Sequence, residues 1–162
     1  MRLLYPSSLV MLALIILVAP APIHAGQFED GLSAVNQGNY AAALRLWKPL
    51  ADQGNAAAQF NLGVMYNSGD GVPEDDVEAV KWYRKAADQG NAAAQFNLGV
   101  MYSSGEGVPE DLVQAYSWIN LAAAKGYNKA SEGKEILVKD MTSSQIEEAQ
   151  RLSREWWAKH NQ

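Results

Sequence analysis

Apolar positions recur along the chain at helical spacing. Ala58, Leu62 and Met65/Tyr66 stand at i, i+4 and i+7/i+8, and Ala79, Trp82 and Ala86 form a second stripe of the same period. Each stripe predicts an amphipathic helix. Asn55 and Asn91 each follow a Gly and suit the N-cap of the first helix of a pair. Gly69 and Gly105 suit its C-terminal stop. The connectors Gly69-Asp70-Gly71-Val72-Pro73 and Gly105-Glu106-Gly107-Val108-Pro109 read as turns, with each Pro expected at the first position of the next helix. Glu74-Asp75-Asp76 and Glu110-Asp111 then place acids in a first helical turn, where the helix dipole favours them.

The pattern repeats. Ala51 to Tyr66 recurs letter for letter as Ala87 to Tyr102, an offset of 36, and 27 of 36 positions agree between residues 51–86 and 87–122. Weaker echoes flank these units: Gly126, Ala130 and Leu137 fall 36 residues after Gly90, Ala94 and Met101, and Gly38 to Trp47 resembles a half unit with a shorter turn. The chain therefore divides into an N-terminal partial repeat (26–50), two full repeats (51–86 and 87–122), and a degenerate repeat with a C-terminal capping helix (123–162). Ala115, Trp118 and Ala122 repeat the second stripe. In the cap, Thr142 and Gln145 match a capping box, and Ile146, Ala149, Leu152 and Trp156 form the apolar stripe. Both Trp156 and Trp157 are expected to pack there; a Trp157 left at the surface would be an anchor for a partner.

These residues resemble the Sel-one-like repeat, a relative of the tetratricopeptide repeat. The resemblance rests on Ala56, Ala58, Leu62-Gly63, Tyr66, Gly69-Asp70-Gly71-Val72, Asp75, Ala79, Trp82, Ala86-Ala87 and Gly90, and on the same positions 36 residues later. It implies an all-α fold, a right-handed α-α solenoid of stacked hairpins, that binds proteins or peptides. It also places Leu62-Gly63 in the packing seam. Phe60, Asn61, Val64 and Asn67, with their equivalents Phe96, Asn97, Val100 and Ser103, are then expected beside the seam on the inner surface. Asn would offer paired donors and acceptors to an extended peptide, and Phe an apolar anchor; the competing role for the Phe pair is packing between units.

Residues 1–25 read as a cleavable signal peptide. Arg2 supplies the positive start, Leu9 to Ala19 the apolar run, and Ile23-His24-Ala25 the approach to a cut before Gly26. The run has 11 residues, too few for a membrane span of about 20. The expected location is the periplasm, with secretion as a host-interaction factor as the alternative.

Composition narrows the chemistry. The chain has 162 residues, 13 Lys+Arg against 18 Asp+Glu, and no Cys. The acidic balance argues against nucleic acid. Without Cys, no disulfide framework, cysteine-ligated zinc or thiol nucleophile is available. Ser131-Glu132-Gly133-Lys134 matches Ser-x-x-Lys, the nucleophile motif of penicillin-interacting enzymes, yet no Ser-Asp-Asn or Lys-Thr-Gly accompanies it. A cysteine-rich branch of the resembled family is linked to β-lactam binding; its Cys pairs are missing here. His160 is the one His after residue 25, which argues against a Ser-His-Asp triad or a multi-His zinc site. Asp70, Glu74, Asp75 and Asp76 lack the alternating offsets of a calcium loop and read as solvated acids. The expectation is a non-enzymatic adaptor without cofactor or metal; the rival class is a small enzyme or cell-wall-ligand protein.

Overall fold

The computed structural model describes residues 26–160; the expected signal peptide, 1–25, lies outside the described residues. Eight helices and no strands are found among them: α1 (Gln27–Asn36), α2 (Tyr40–Asp52), α3 (Ala56–Ser68), α4 (Asp76–Asp88), α5 (Ala92–Ser104), α6 (Leu112–Ala124), α7 (Asn128–Leu137) and α8 (Ser143–His160). The first six form three antiparallel hairpins, and each hairpin packs on the next through α2 on α3, α4 on α5 and α6 on α7.

Local sequence explains the helix ends. Asn55 and Asn91 accept from the backbone N–H of Ala58 and Ala94, both at 2.9 Å. Gly69 and Gly105 end α3 and α5 at φ 72° and 76°, the left-handed region. The expected place of Pro73 and Pro109 is corrected. Asp75 and Asp111 are the N-caps of α4 and α6, bonding the N–H of Glu78 and Gln114, so each Pro lies two residues before its cap. A capping carboxylate satisfies an orphan N–H that Pro at the first position would only have omitted.

Close approach within each hairpin needs Gly. A Cβ on Gly63 would stand 2.5 Å from the Tyr83 ring, and one on Gly99 2.5 Å from Ile119 Cγ1. Gly31 admits the Trp47 indole in the same way. Ala43, Ala58, Ala79, Ala86, Ala94, Ala115 and Ala122 are fully buried between helices, and Trp47, Trp82 and Trp118 fill the larger spaces.

Two buried side chains went unread in the sequence. Gln59 and Gln95 turn inward and donate to the backbone O of Ala51 and Ala87, at 2.9 and 3.1 Å. They tie the start of one hairpin to the end of the previous helix, where carbonyls lack helical partners.

The C-terminal end departs from the repeat. Counting 36 on from Leu98-Gly99 gives Lys134-Glu135, so α7 lacks the Gly that lets a second helix approach. Accordingly α8 packs mainly on α6. Ser153, buried and also missed in the sequence, donates to Ser117 O at 3.1 Å. Trp156 meets Trp118 edge to face, 6.3 Å between centroids. The capping box is formed: Gln145 Oε1 accepts from the Thr142 N–H at 2.8 Å, and Thr142 Oγ1 accepts from the Gln145 N–H at 3.3 Å. The expectation that both terminal Trp pack is corrected, because Trp157 is 42 % exposed. Adjacent helical residues point about 100° apart, and α8 has one apolar face.

Candidate apolar cleft between α5 and α7

The eight residues expected on the inner surface fall into three groups. Phe60 and Phe96 are half-buried: Phe60 lies 5.9 Å from the Tyr83 ring of its own hairpin, and Phe96 5.1 Å from the Tyr127 ring at the start of the next. Two of the polar residues serve the fold. Asn67 donates from Nδ2 to Asp76 Oδ1 at 2.8 Å. Burial raises the Tyr83 pKa to about 12, and the neighbouring Asn97 amide opposes that shift. Asn61 and Val64 are half-buried on α3. The third group has a shared opening. Val100 and Ser103, with the open side of Phe96, line one cleft on α5.

The rest of that cleft comes from Ile119 of α6 and from Gly133, Ile136 and Leu137 of α7. Its volume is about 170 Å³. At the mouth, Val100 is 40 % exposed and Ile136 54 %. No α8 residue lines it.

Repeat arithmetic explains why a cleft opens here. The residues 36 before Ile119, Gly133 and Ile136 are Tyr83, Asn97 and Val100. At the α3–α5 junction the Tyr83 ring fills the space and Asn97 closes over its hydroxyl. At the α5–α7 junction Ile119 is shorter and Gly133 has no side chain, so a hollow remains under two exposed aliphatic residues. A site this small falls below the ~300 Å³ of ordinary small-molecule pockets. It suits one aliphatic or aromatic side chain of a larger partner.

The other candidate chemistry is not assembled. Ser131 is exposed and shares a shallow opening with Lys134, but Lys134 Nζ donates to Asn120 Oδ1 at 2.7 Å and lies 5.4 Å from the Tyr116 ring centroid. A nucleophile needs a base in bonding reach, and Lys134 is engaged elsewhere. His160 stacks on Trp156 at 4.1 Å, and Nδ1 donates to Trp156 O at 2.8 Å. Of the acidic group, Asp75 caps α4 and Asp76 accepts from Asn67. Among the described residues no group of three or more His, Cys, Asp or Glu could hold a metal ion. No described helix is long and apolar enough to cross a membrane.

Hairpins of α-helices stacked at a 36-residue interval, each closed by a helical Gly and a facing large side chain, define an α-solenoid repeat protein. The Sel1 repeat matches the chain three times, over residues 26–55, 56–91 and 92–127. The chain belongs to the Sel1 repeat family. Its fold is similar to that of c5321, a protective antigen present in uropathogenic Escherichia coli strains and displaying an SLR fold. That likeness has a TM-score of 0.78 at 36 % identity, over 83 % of this chain and 30 % of the antigen. It is also similar to a Sel1 repeat protein from Oxalobacter formigenes, with a TM-score of 0.63 at 37 % identity over 67 % of this chain and 85 % of that one. A stretch of 56 residues, 35 % of this chain, is 38 % identical to the exopolysaccharide production negative regulator of Rhizobium meliloti (strain 1021) and spans 21 % of it. The chain thus covers under a third of the antigen and about a fifth of the regulator. Sel1 repeats are in general non-catalytic scaffolds for protein–protein contact.

The matched repeats are phased five residues later than the units read from letter identity. A translational period has no intrinsic starting point. The later phase puts each α3-type helix and its partner in one unit, since Ala87 lies in the last turn of α4.

Proposed function

We propose that this chain is a non-enzymatic adaptor that holds a protein or peptide partner on the face formed by α3, α5 and α7, with one apolar side chain seated between α5 and α7. The observation that carries the reading is the hollow at Gly133, rimmed by exposed Val100 and Ile136, at a junction whose internal counterpart is filled. Burying an aliphatic side chain there contributes about 1.5–3 kcal/mol. That gives modest affinity on its own, and further contacts along the half-buried Asn61 and Val64 would add to it.

The location proposed is the periplasm, after removal of residues 1–25; secretion is the second reading. Both rest on the leader pattern, and a relative that is a protective antigen favours export. No cofactor is part of the proposal. Fractionation of the producing cell tests the location: the chain in the cytosol with residues 1–25 intact would refute export.

The binding test uses Val100→Asp with Ile136→Asp. Both positions are exposed, so helicity should persist. A photo-crosslinking residue at Ser103 should capture a partner in envelope extract, and the double variant should lose that adduct. An identical adduct pattern from both proteins would end the reading.

A further inference from the structure

A second opening lies at the far side of the C-terminal end, between α6 and α8. Leu121, Ala124, Trp157 and Ala158 supply its apolar walls, and Asn120, Ser153 and Arg154 its polar edge, around a volume of about 230 Å³. We propose that this slot binds the C-terminal residue of a protein partner, with an aliphatic side chain between the walls and the terminal carboxylate on Arg154 and Asn120.

The polar edge argues for an acceptor-only group. Asn120 Oδ1 already accepts from Lys134 Nζ at 2.7 Å, which leaves the Nδ2 hydrogens as its available end. Arg154 makes no ion pair among the described residues. The neighbouring acids Glu148 and Glu155 are both taken by Arg151. The edge therefore offers the Arg154 guanidinium and the Asn120 Nδ2 hydrogens as its strongest available donors, beside the Ser153 hydroxyl that already donates within the fold. A guanidinium fork matches a carboxylate bidentately, whereas a partner's amide or hydroxyl would use it less well.

Local charge agrees. Residues 26–122 carry five Lys+Arg against twelve Asp+Glu, whereas residues 123–160 carry seven against six. Two helix C-termini lie near the slot, and each presents about half a negative charge. Arg154 lines the slot, and Lys125 brings a second positive charge to it, with Nζ 5.7 Å from the Trp157 ring centroid. Against the two helix ends the balance is positive by about one charge, which favours an anion. The size of the slot selects one side chain, since drug-sized ligands use pockets of at least ~300 Å³.

The test is fluorescence anisotropy of a labelled octapeptide ending in Ala-Leu with a free carboxylate, titrated with the full chain. The same peptide ending in an amide is the second arm. The acid should bind saturably, and the amide at least about tenfold more weakly, as expected for loss of a charge-assisted bond. Arg154→Gln should remove the difference between the two peptides. Ala124→Leu, which fills the slot, should abolish binding of both. Val100→Asp in the α5–α7 cleft should leave the acid peptide's affinity unchanged, so this site and the other fail separately. Equal affinity for acid and amide, discrimination that survives Arg154→Gln, no saturable binding, or binding only to anionic lipid vesicles would each overturn the proposal.

Discussion

The α3–α5 and α5–α7 junctions are equivalent positions one 36-residue repeat apart, yet one is filled and the other is open. Position 83 is Tyr and position 119 is Ile; position 97 is Asn and position 133 is Gly. The first pair completes a core: the Tyr83 ring packs against Gly63, and its hydroxyl meets Asn97. The second pair leaves an apolar hollow under Val100 and Ile136. A repeat protein is stabilised by nearest-neighbour interfaces, so internal junctions must be complete. The end junction has a neighbour on one side only, and can give up packing to hold something else.

The largest expected effect tests whether stability resides in the regular part. Trp82→Ala should cost about 3–5 kcal/mol in urea unfolding, because the side chain is buried among α2, α3 and α4. Trp157→Ala should cost less, about 1–2 kcal/mol, as 42 % of the residue is exposed. Similar losses for both would dissolve the distinction between body and cap.

Tyr83→Ile with Asn97→Gly converts the filled junction into a copy of the open one. The lost ring leaves a void, and the cost should be about 2–4 kcal/mol. The reciprocal change, Ile119→Tyr with Gly133→Asn, should close the cleft and remove partner crosslinking at Ser103. If the reciprocal variant still captures its partner, the hollow is not the seat.

The Tyr83 hydroxyl gives a pH signature specific to the filled junction. Its pKa is raised by burial from 10 to about 12, so the folded state holds the proton more tightly than the unfolded chain. Below pH 10 both states are protonated and stability is unaffected. Between pH 10 and 12 stability should fall by roughly 2–3 kcal/mol. Tyr83→Phe should flatten that part of the profile, measured by urea midpoints across pH 9–12.

The smallest effect concerns helix starts. Asn91→Ala removes the cap of α5 and should cost about 1 kcal/mol. Tyr127, one repeat on, makes no side-chain cap bond at the start of α7, and its ring meets Phe96 at a tilt instead. Tyr127→Asn should therefore trade a cap for a lost ring contact and change stability by less than that. A larger loss would make the Phe96–Tyr127 contact the main tie of α7.

Much of the fold was legible because its rules are local or periodic. Asn caps, left-handed Gly stops, Ala and Trp stripes and the 36-residue interval each depend on residue type and spacing, and the helices begin and end where those signals stand. The site was legible in part. Val100, Ser103 and Phe96 do line an opening, but Asn67 bonds Asp76 within the fold, and the Asn97 amide acts on the Tyr83 hydroxyl. Gln59, Gln95 and Ser153 were missed, since nothing in sequence distinguishes a buried polar side chain with a carbonyl partner from a solvated one.

The sequence alone determined the repeat, the helical class and the closeness of the helices within each hairpin, because glycine and alanine at a fixed period admit few other packings. Tertiary structure decided what the repeat does at its end. Whether Gly133 is a harmless gap or the floor of a cleft depends on Ile119 and Phe96 reaching it from two other helices. That α8 lies chiefly on α6 follows from a Glu standing where a Gly was needed. Such outcomes depend on volumes left over when helices distant in the chain meet, and no local signal records a volume that is empty.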